Sequence, residues 1–143
     1  MKLGLVSSIL EDCNFEEMID IASQMRLECV EVACWPNAKA ERRYAGVSHI
    51  DVCNMDEARA EKIISYCREK KVEISSLAFY PNTMDGNLEK RKANIEHLYK
   101  VIDASSLLGV NMVTKRLSFF LKHDNKIKGD FCQVPFKHKE EIL

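Results

Sequence analysis

No stretch of this sequence is apolar over the roughly 20 residues that a bilayer-spanning helix requires. The amino terminus, Met1-Lys2-Leu3-Gly4-Leu5-Val6, has no apolar core of signal-peptide length and no cleavage-site pattern, so the expected compartment is the cytoplasm. Charge of one sign is also lacking: the formal net charge is −1, which supplies no field for nucleic acid or an anionic membrane. None of the six cysteines (Cys13, Cys29, Cys34, Cys53, Cys67 and Cys132) belongs to a C-x-x-C pair, and their spacings match no zinc module. Small, mostly buried thiols of a reducing compartment are expected instead. Finally, Ser7-Ser8-Ile9-Leu10 follows the first apolar run where a nucleotide-binding open sheet would place a Gly-rich phosphate loop.

What is present is an ordinary globular composition, 46% hydrophobic and 30% charged over 143 residues, enough for one domain with a core. A short apolar run is followed three times by an amphipathic segment, and a fourth run then appears. Leu3–Val6 is the first run. Asn14 is a candidate N-cap, with Glu16, Glu17 and Asp20 suited to the positive end of a helix; Phe15, Met18, Ile19, Ala22 and Met25 form one stripe at helical spacing. Cys29–Cys34 is the second run, ended by Trp35-Pro36. Asn54 is the expected cap of a second helix, with Asp56 and Glu57 in its first turn and Ile63, Ile64 and Cys67 facing inward. Val72–Phe79 is the third run. A third helix is predicted from about Leu88, with Ile95, Leu98, Tyr99 and Ile102 inward, His97 outward and Gly109 as its stop. Val110–Thr114 is the fourth run.

Strands alternating with helices imply right-handed crossovers and a parallel sheet. Periodicity leaves two architectures open, a doubly wound sheet or part of a closed barrel. In both, ligands bind at the carboxyl ends of the strands, so Trp35, Tyr80, Asn82 and Thr114 are the positions to examine. Trp35-Pro36-Asn37 and Tyr80-Pro81-Asn82 put an aromatic, a proline and an amide at two successive strand ends. The rings offer flat apolar faces to sugar C–H groups, and the amides can bond hydroxyls; the same residues could equally be strand stops capping a core. The long loop of residues 37–53 holds Arg42, Arg43, Tyr44, His49 and Asp51. His49 and Asp51 flank Ile50, so in an extended segment they point the same way and are candidates to bond substrate hydroxyls.

Lys2-Leu3-Gly4-Leu5-Val6, Val30-Glu31-Val32 leading to Trp35-Pro36, Ser48-His49-Ile50-Asp51, Leu77–Asn82 and Leu108-Gly109-Val110, taken in order, resemble the xylose-isomerase-like TIM barrels, the sugar phosphate isomerases and epimerases. The resemblance covers residues 1–114 and selects the barrel over the open sheet. It implies the amino-terminal half of a (β/α)8 barrel, with about four parallel strands and three helices. In this family a divalent metal, often manganese, is held by Glu, Asp and His at the ends of the later strands and assists proton transfer between neighbouring carbons. Those strands are missing, so no metal is expected in this chain. His123, Asp124, Asp130, His138, Glu140 and Glu141 match no family motif. The implied reading is a truncated member, inactive alone, with Trp35, His49, Asp51, Tyr80 and Asn82 as sugar or sugar-phosphate contacts. A small self-associating α/β binding module without catalysis is the alternative.

After Thr114 the character changes. Residues 115–143 hold seven Lys/Arg against four Asp/Glu, whereas residues 1–114 hold fourteen against eighteen. An irregular, partly disordered tail is expected; it has no regular aromatic interleaving for nucleic acid. The family typically continues here with a Thr-Phe-Ile-Gly-like strand end. One codon choice for Lys115-Arg116-Leu117-Ser118 reads Thr-Phe-Ile in another frame, which suggests a frameshifted tail. Four strands alone would leave an apolar inner face and open edges, so self-association is expected through the open barrel edge, with Leu117, Phe119, Phe120 and Leu121 covering part of it.

Overall fold

The structure, a computed structural model, describes residues 1–36, 46–118 and 129–135. Asn37, Arg42, Arg43, Tyr44, the Phe119–Leu121 cluster and the tail residues His123, Asp124, His138, Glu140 and Glu141 lie outside them. Five strands form one sheet in sequence order: β1 (Gly4–Val6), β2 (Cys29–Ala33), β3 (Glu73–Phe79), β4 (Met112–Ser118) and β5 (Gly129–Pro135). The first four run parallel, separated by α1 (Phe15–Gln24), α2 (Glu57–Lys70) and α3 (Leu88–Leu107). This is the expected β/α alternation. The fourth strand continues past Thr114 to Ser118, and β5 pairs antiparallel with it over seven residues, Met112↔Pro135 to Ser118↔Gly129. The edge of β4 is therefore covered by the chain's own continuation, and residues 129–135 are regular rather than irregular.

One face of the sheet carries the helices. Phe15, Met18, Ile19 and Ala22 of α1 pack with Val30, Val32, Leu77, Phe79 and Val113 in a single core. Asn14 caps α1 as its sequence suggests, in a reciprocal box: its side chain accepts the Glu17 N–H at 2.9 Å and Glu17 accepts the Asn14 N–H at 2.8 Å. Met25 leaves the stripe, 63% exposed. The helix has ended, and Arg26 takes a left-handed φ of 56°, with the Leu27 N–H returning to the Ala22 carbonyl.

Two expectations for the other helices need correction. The cap of α2 is Asp56, whose carboxylate accepts the Arg59 N–H at 2.7 Å. Asn54 instead closes a 3-10 turn, Val52–Asn54, that Asp51 caps. In α3 the buried positions are His97, Val101, Ile102, Ala104 and Ser105, while Tyr99 is 39% exposed. His97 points inward: its Nε2 donates to the Cys34 carbonyl at 2.9 Å and its ring packs 4.9 Å from that of Phe79. A histidine with a carbonyl partner and a ring neighbour is at home in a core; Ile102 is buried and Leu98 packs against the core as expected, while Tyr99 turns outward. Gly109, φ 65°, ends α3 as expected, with Gly109 and Val110 N–H groups on the Ser106 and Ser105 carbonyls.

The thiols are divided. Cys34 and Cys67 are buried, and burial pushes both thiols up, Cys67 to about 11. Cys13 and Cys29 are half-buried and Cys53 is exposed. Among the described residues no helix is long and apolar enough to cross a membrane.

Candidate functional site

The face of the sheet turned away from the helices carries a polar cluster. Glu31 stands in the middle of β2, in an otherwise apolar run. A β-bulge between Val30 and Glu31 pairs Val30 with Ile74 but Glu31 with Ser76, leaving Ser75 as the extra residue. Ile74 and Leu77 can then both face the helices beside Val30 and Val32, while Ser76 turns to Glu31. The Ser76 hydroxyl donates to Glu31 Oε2 at 2.9 Å, and Thr114 Oγ1 donates to the same oxygen at 2.8 Å. The Tyr80 hydroxyl donates to Oε1. One carboxylate thus collects hydroxyls from three strand positions, which is what a half-buried charge needs. Burial first, and then the bond to Glu31, push the Tyr80 phenol up, so it remains a protonated donor.

Trp35, just beyond β2, meets Tyr80 edge-to-face with ring centroids 6.4 Å apart and planes at 64°. The Trp35 indole N–H is buried without a hydrogen-bond partner among the described residues. The two strand-end aromatics read from the sequence therefore come together, and Thr114 joins them through Glu31.

The other expected contacts do not converge there. His49 turns toward β1: its Nε2 lies 3.1 Å from the Leu10 carbonyl and its Nδ1 3.1 Å from Ser7 Oγ. A carbonyl only accepts, so Nε2 carries the proton and Nδ1 accepts from Ser7. Ser7 Oγ in turn accepts the Ala33 N–H at 2.8 Å. Both ring nitrogens are engaged, and burial lowers the pKa of His49, opposed by the Leu10 bond. Asp51 is exposed and occupied with the Cys53 N–H and the Asn54 amide, so it does not share a direction with His49. Asn82 accepts the Met84 N–H at 2.9 Å with its side chain and the Asn94 amide at 2.8 Å with its carbonyl, shaping the turn after β3.

Sequence reasoning passed over Glu31, Ser76 and Ser7 as site residues. The usable signal was the charge itself: a glutamate at the centre of Cys-Val-Glu-Val-Ala-Cys has to find donors wherever its strand is covered. A cavity of about 560 Å³ lies at the other end of the sheet, between the carboxyl ends of α2 and α3, lined among others by Ile64, Arg68, Lys71 and Gly109. It shares no residue with the Glu31 cluster, and the convergence of polar groups favours the cluster. Among the described residues no three His, Cys, Asp or Glu side chains come together in a way that could hold a metal ion. Glu31 has three hydroxyls on its two oxygens, a single carboxylate already occupied by hydrogen-bond donors.

No protein-family model matches the sequence, and no curated protein matches it. Solved structures do. A D-psicose 3-epimerase crystallised in the presence of D-fructose is similar with a TM-score of 0.57 at 14% identity, over 80% of this chain and 37% of that one. A probable 3-DHS dehydratase of Bacillus anthracis, involved in petrobactin synthesis, gives 0.55 at 14% identity, over 80% and 38%. A xylose isomerase domain-containing protein of Salmonella typhimurium LT2 gives 0.52 at 12% identity, over 78% and 35%. The chain spans little more than a third of the length of these structures. At such identities the likeness shows the fold.

Proposed function

We propose, from a fold similar to part of a xylose-isomerase-like TIM barrel, that this chain is the sugar-receiving part of an isomerase or epimerase barrel, without catalysis of its own. The observation that carries the reading is the Trp35–Tyr80 corner seated beside the Glu31–Ser76–Thr114 cluster at the carboxyl end of the parallel strands. An aromatic corner accepts the apolar face of a sugar ring, and a carboxylate with exchangeable hydroxyl partners accepts sugar hydroxyls in their place. His49, Asp51 and Asn82 act in this reading by holding the loops that flank the corner. Proton transfer between sugar carbons needs acids, bases or metal ligands that the described residues do not bring together. The proposal sets the protein in the cytoplasm, where its thiols stay reduced.

Trp35 is the chain's single tryptophan, so intrinsic fluorescence reports this site. Titration with D-psicose, D-fructose and their phosphates is expected to change Trp35 emission in the millimolar range, and Tyr80→Phe to weaken the response. An unchanged spectrum with all four sugars would refute the assignment.

The second reading, a self-associating binding module, is favoured by one observation. Leu3, Val6 and Ile9 are all exposed in and beside β1, an edge strand of three residues. With β4 covered by β5, association would run through β1. Sedimentation of the chain and of Val6→Lys distinguishes the two: a dimer that the charge dissolves supports the module, and a monomer in both cases rejects it.

A further inference from the structure

We propose that Cys53 and Lys100 form a redox-sensitive pair, which hydrogen peroxide converts into a reversible sulfur–nitrogen cross-link between the 3-10 turn Val52–Asn54 and α3. The Nζ of Lys100 donates to the Cys53 Sγ at 3.6 Å. The pair makes the site, not the thiol alone: a nucleophilic sulfur and an amine are brought into contact across 47 residues of sequence.

The fold builds this contact. Val52 and Val101, the chain neighbours of the two partners, are both buried in the common core, so the turn and the helix are seated against one another by apolar packing. The turn is held on both sides of the thiol. The Asp51 carboxylate accepts the Cys53 N–H at 3.0 Å and the Asn54 amide at 2.8 Å, and the Asn54 carbonyl accepts an Arg59 N–H at 2.9 Å. Cys53 is exposed, whereas Cys34 and Cys67 are buried and Cys13 and Cys29 half-buried. Among the described thiols a dissolved oxidant therefore meets Cys53 first.

Peroxide is the oxidant, and each step balances. The Cys53 thiolate attacks one peroxide oxygen; an S–O bond forms, the O–O bond breaks, and the departing hydroxide takes a proton from the Lys100 ammonium and leaves as water. Sulfur is oxidised to a sulfenic acid and the peroxide is reduced. The proton transfer leaves a neutral amine against the new S–OH group. Its lone pair attacks sulfur, an S–N bond forms, the S–O bond breaks, and the hydroxyl departs with an amine proton as a second water. The product is a sulfenamide, which a sulfenic acid also forms with a backbone nitrogen. A thiol reductant attacks its sulfur and releases the amine. The pair shares no residue with the Glu31 cluster, and the proposal uses no part of the sugar reading.

The test uses the full chain, treated with hydrogen peroxide in mildly alkaline buffer, where more of a lysine is free amine, and digested without reductant. Peptide mass spectrometry is expected to find the Cys53 and Lys100 peptides joined, two hydrogens lighter than their sum, and parted again by dithiothreitol. Lys100→Arg should abolish the joined species, leave the melting temperature in place, and leave Cys53 as a sulfenic acid that dimedone traps. Three outcomes overturn the proposal: Cys53 of the unaltered chain stays reduced or ends as a sulfinic acid or a disulfide with no joined peptide; other lysines are joined to it as often as Lys100; or the joined species persists in Lys100→Arg.

Discussion

If Glu31 is the common acceptor for Tyr80, Ser76 and Thr114, then Glu31→Gln and Tyr80→Phe must be energetically coupled. A hydrogen bond to a charged partner contributes about 1.5–3 kcal/mol net, and the half-exposure of this cluster reduces that to about 1–2 kcal/mol. Tyr80→Phe removes one such bond without changing the ring that faces Trp35. Glu31→Gln keeps the side-chain length but turns an amide NH2 toward hydroxyls that need an acceptor, a loss of about 1–3 kcal/mol. The double variant should be less destabilised than the sum of the two, by about 1 kcal/mol, because both changes delete the same contact. Urea unfolding followed by Trp35 emission measures all four proteins; in thermal melts each kcal/mol should appear as roughly 3–5 °C. A coupling below about 0.3 kcal/mol, the ordinary scatter of independent sites, would refute the cluster.

Three other outcomes follow from the described geometry. Lys71, like Arg26, holds a left-handed φ, 58°, at a helix end, so Lys71→Gly should raise stability by about 0.5–1 kcal/mol in calorimetry; a loss would show that the lysine side chain matters more than its backbone. Leu77 is fully buried in the core, and Leu77→Ala should cost about 2–5 kcal/mol in urea unfolding. The pKa of folded His49 is depressed below its ordinary 6.5, so the unfolded chain binds more protons in that window. Stability should therefore fall as pH drops below 6.5, and His49→Gln should flatten that slope; an unaltered pH profile would show that His49 is not responsible.

Much of the fold was legible because local chemistry and packing agree. Asn14 with Glu17, the stripe from Phe15 to Ala22 and Gly109 each serve one element in one way. The reading failed where a polar side chain found a distant partner. His97 was assigned outward because nothing near it in sequence hints at the Cys34 carbonyl, 63 residues away. Asn54 lost the cap of α2 because Asp51 had already engaged its amide. At the site, Trp35 and Tyr80 were visible through strand-end position alone. Glu31 was visible as a motif residue but not as a centre, since its donors come from β3 and β4 and from a bulge that composition does not announce. β5 was missed for a related reason: a seven-residue strand joined to its neighbour across the chain carries no helix-spaced or clean alternating pattern of its own.

The hydroxyl of Ser7 joins three remote stretches of chain, accepting from Ala33 and donating to an imidazole that is itself tied to Leu10. β1 meets its neighbour at three residue pairs, too little for a margin strand to hold by backbone bonds alone. The Ser7 tie therefore acts as a rivet at the strand's carboxyl end, opposite the Lys2–Glu73 and Leu3–Glu28 contacts at the other. When His49 takes a second proton, Nδ1 no longer accepts and the rivet loosens, so the sheet's first margin should fray in mild acid while β2 and β3 remain zipped together.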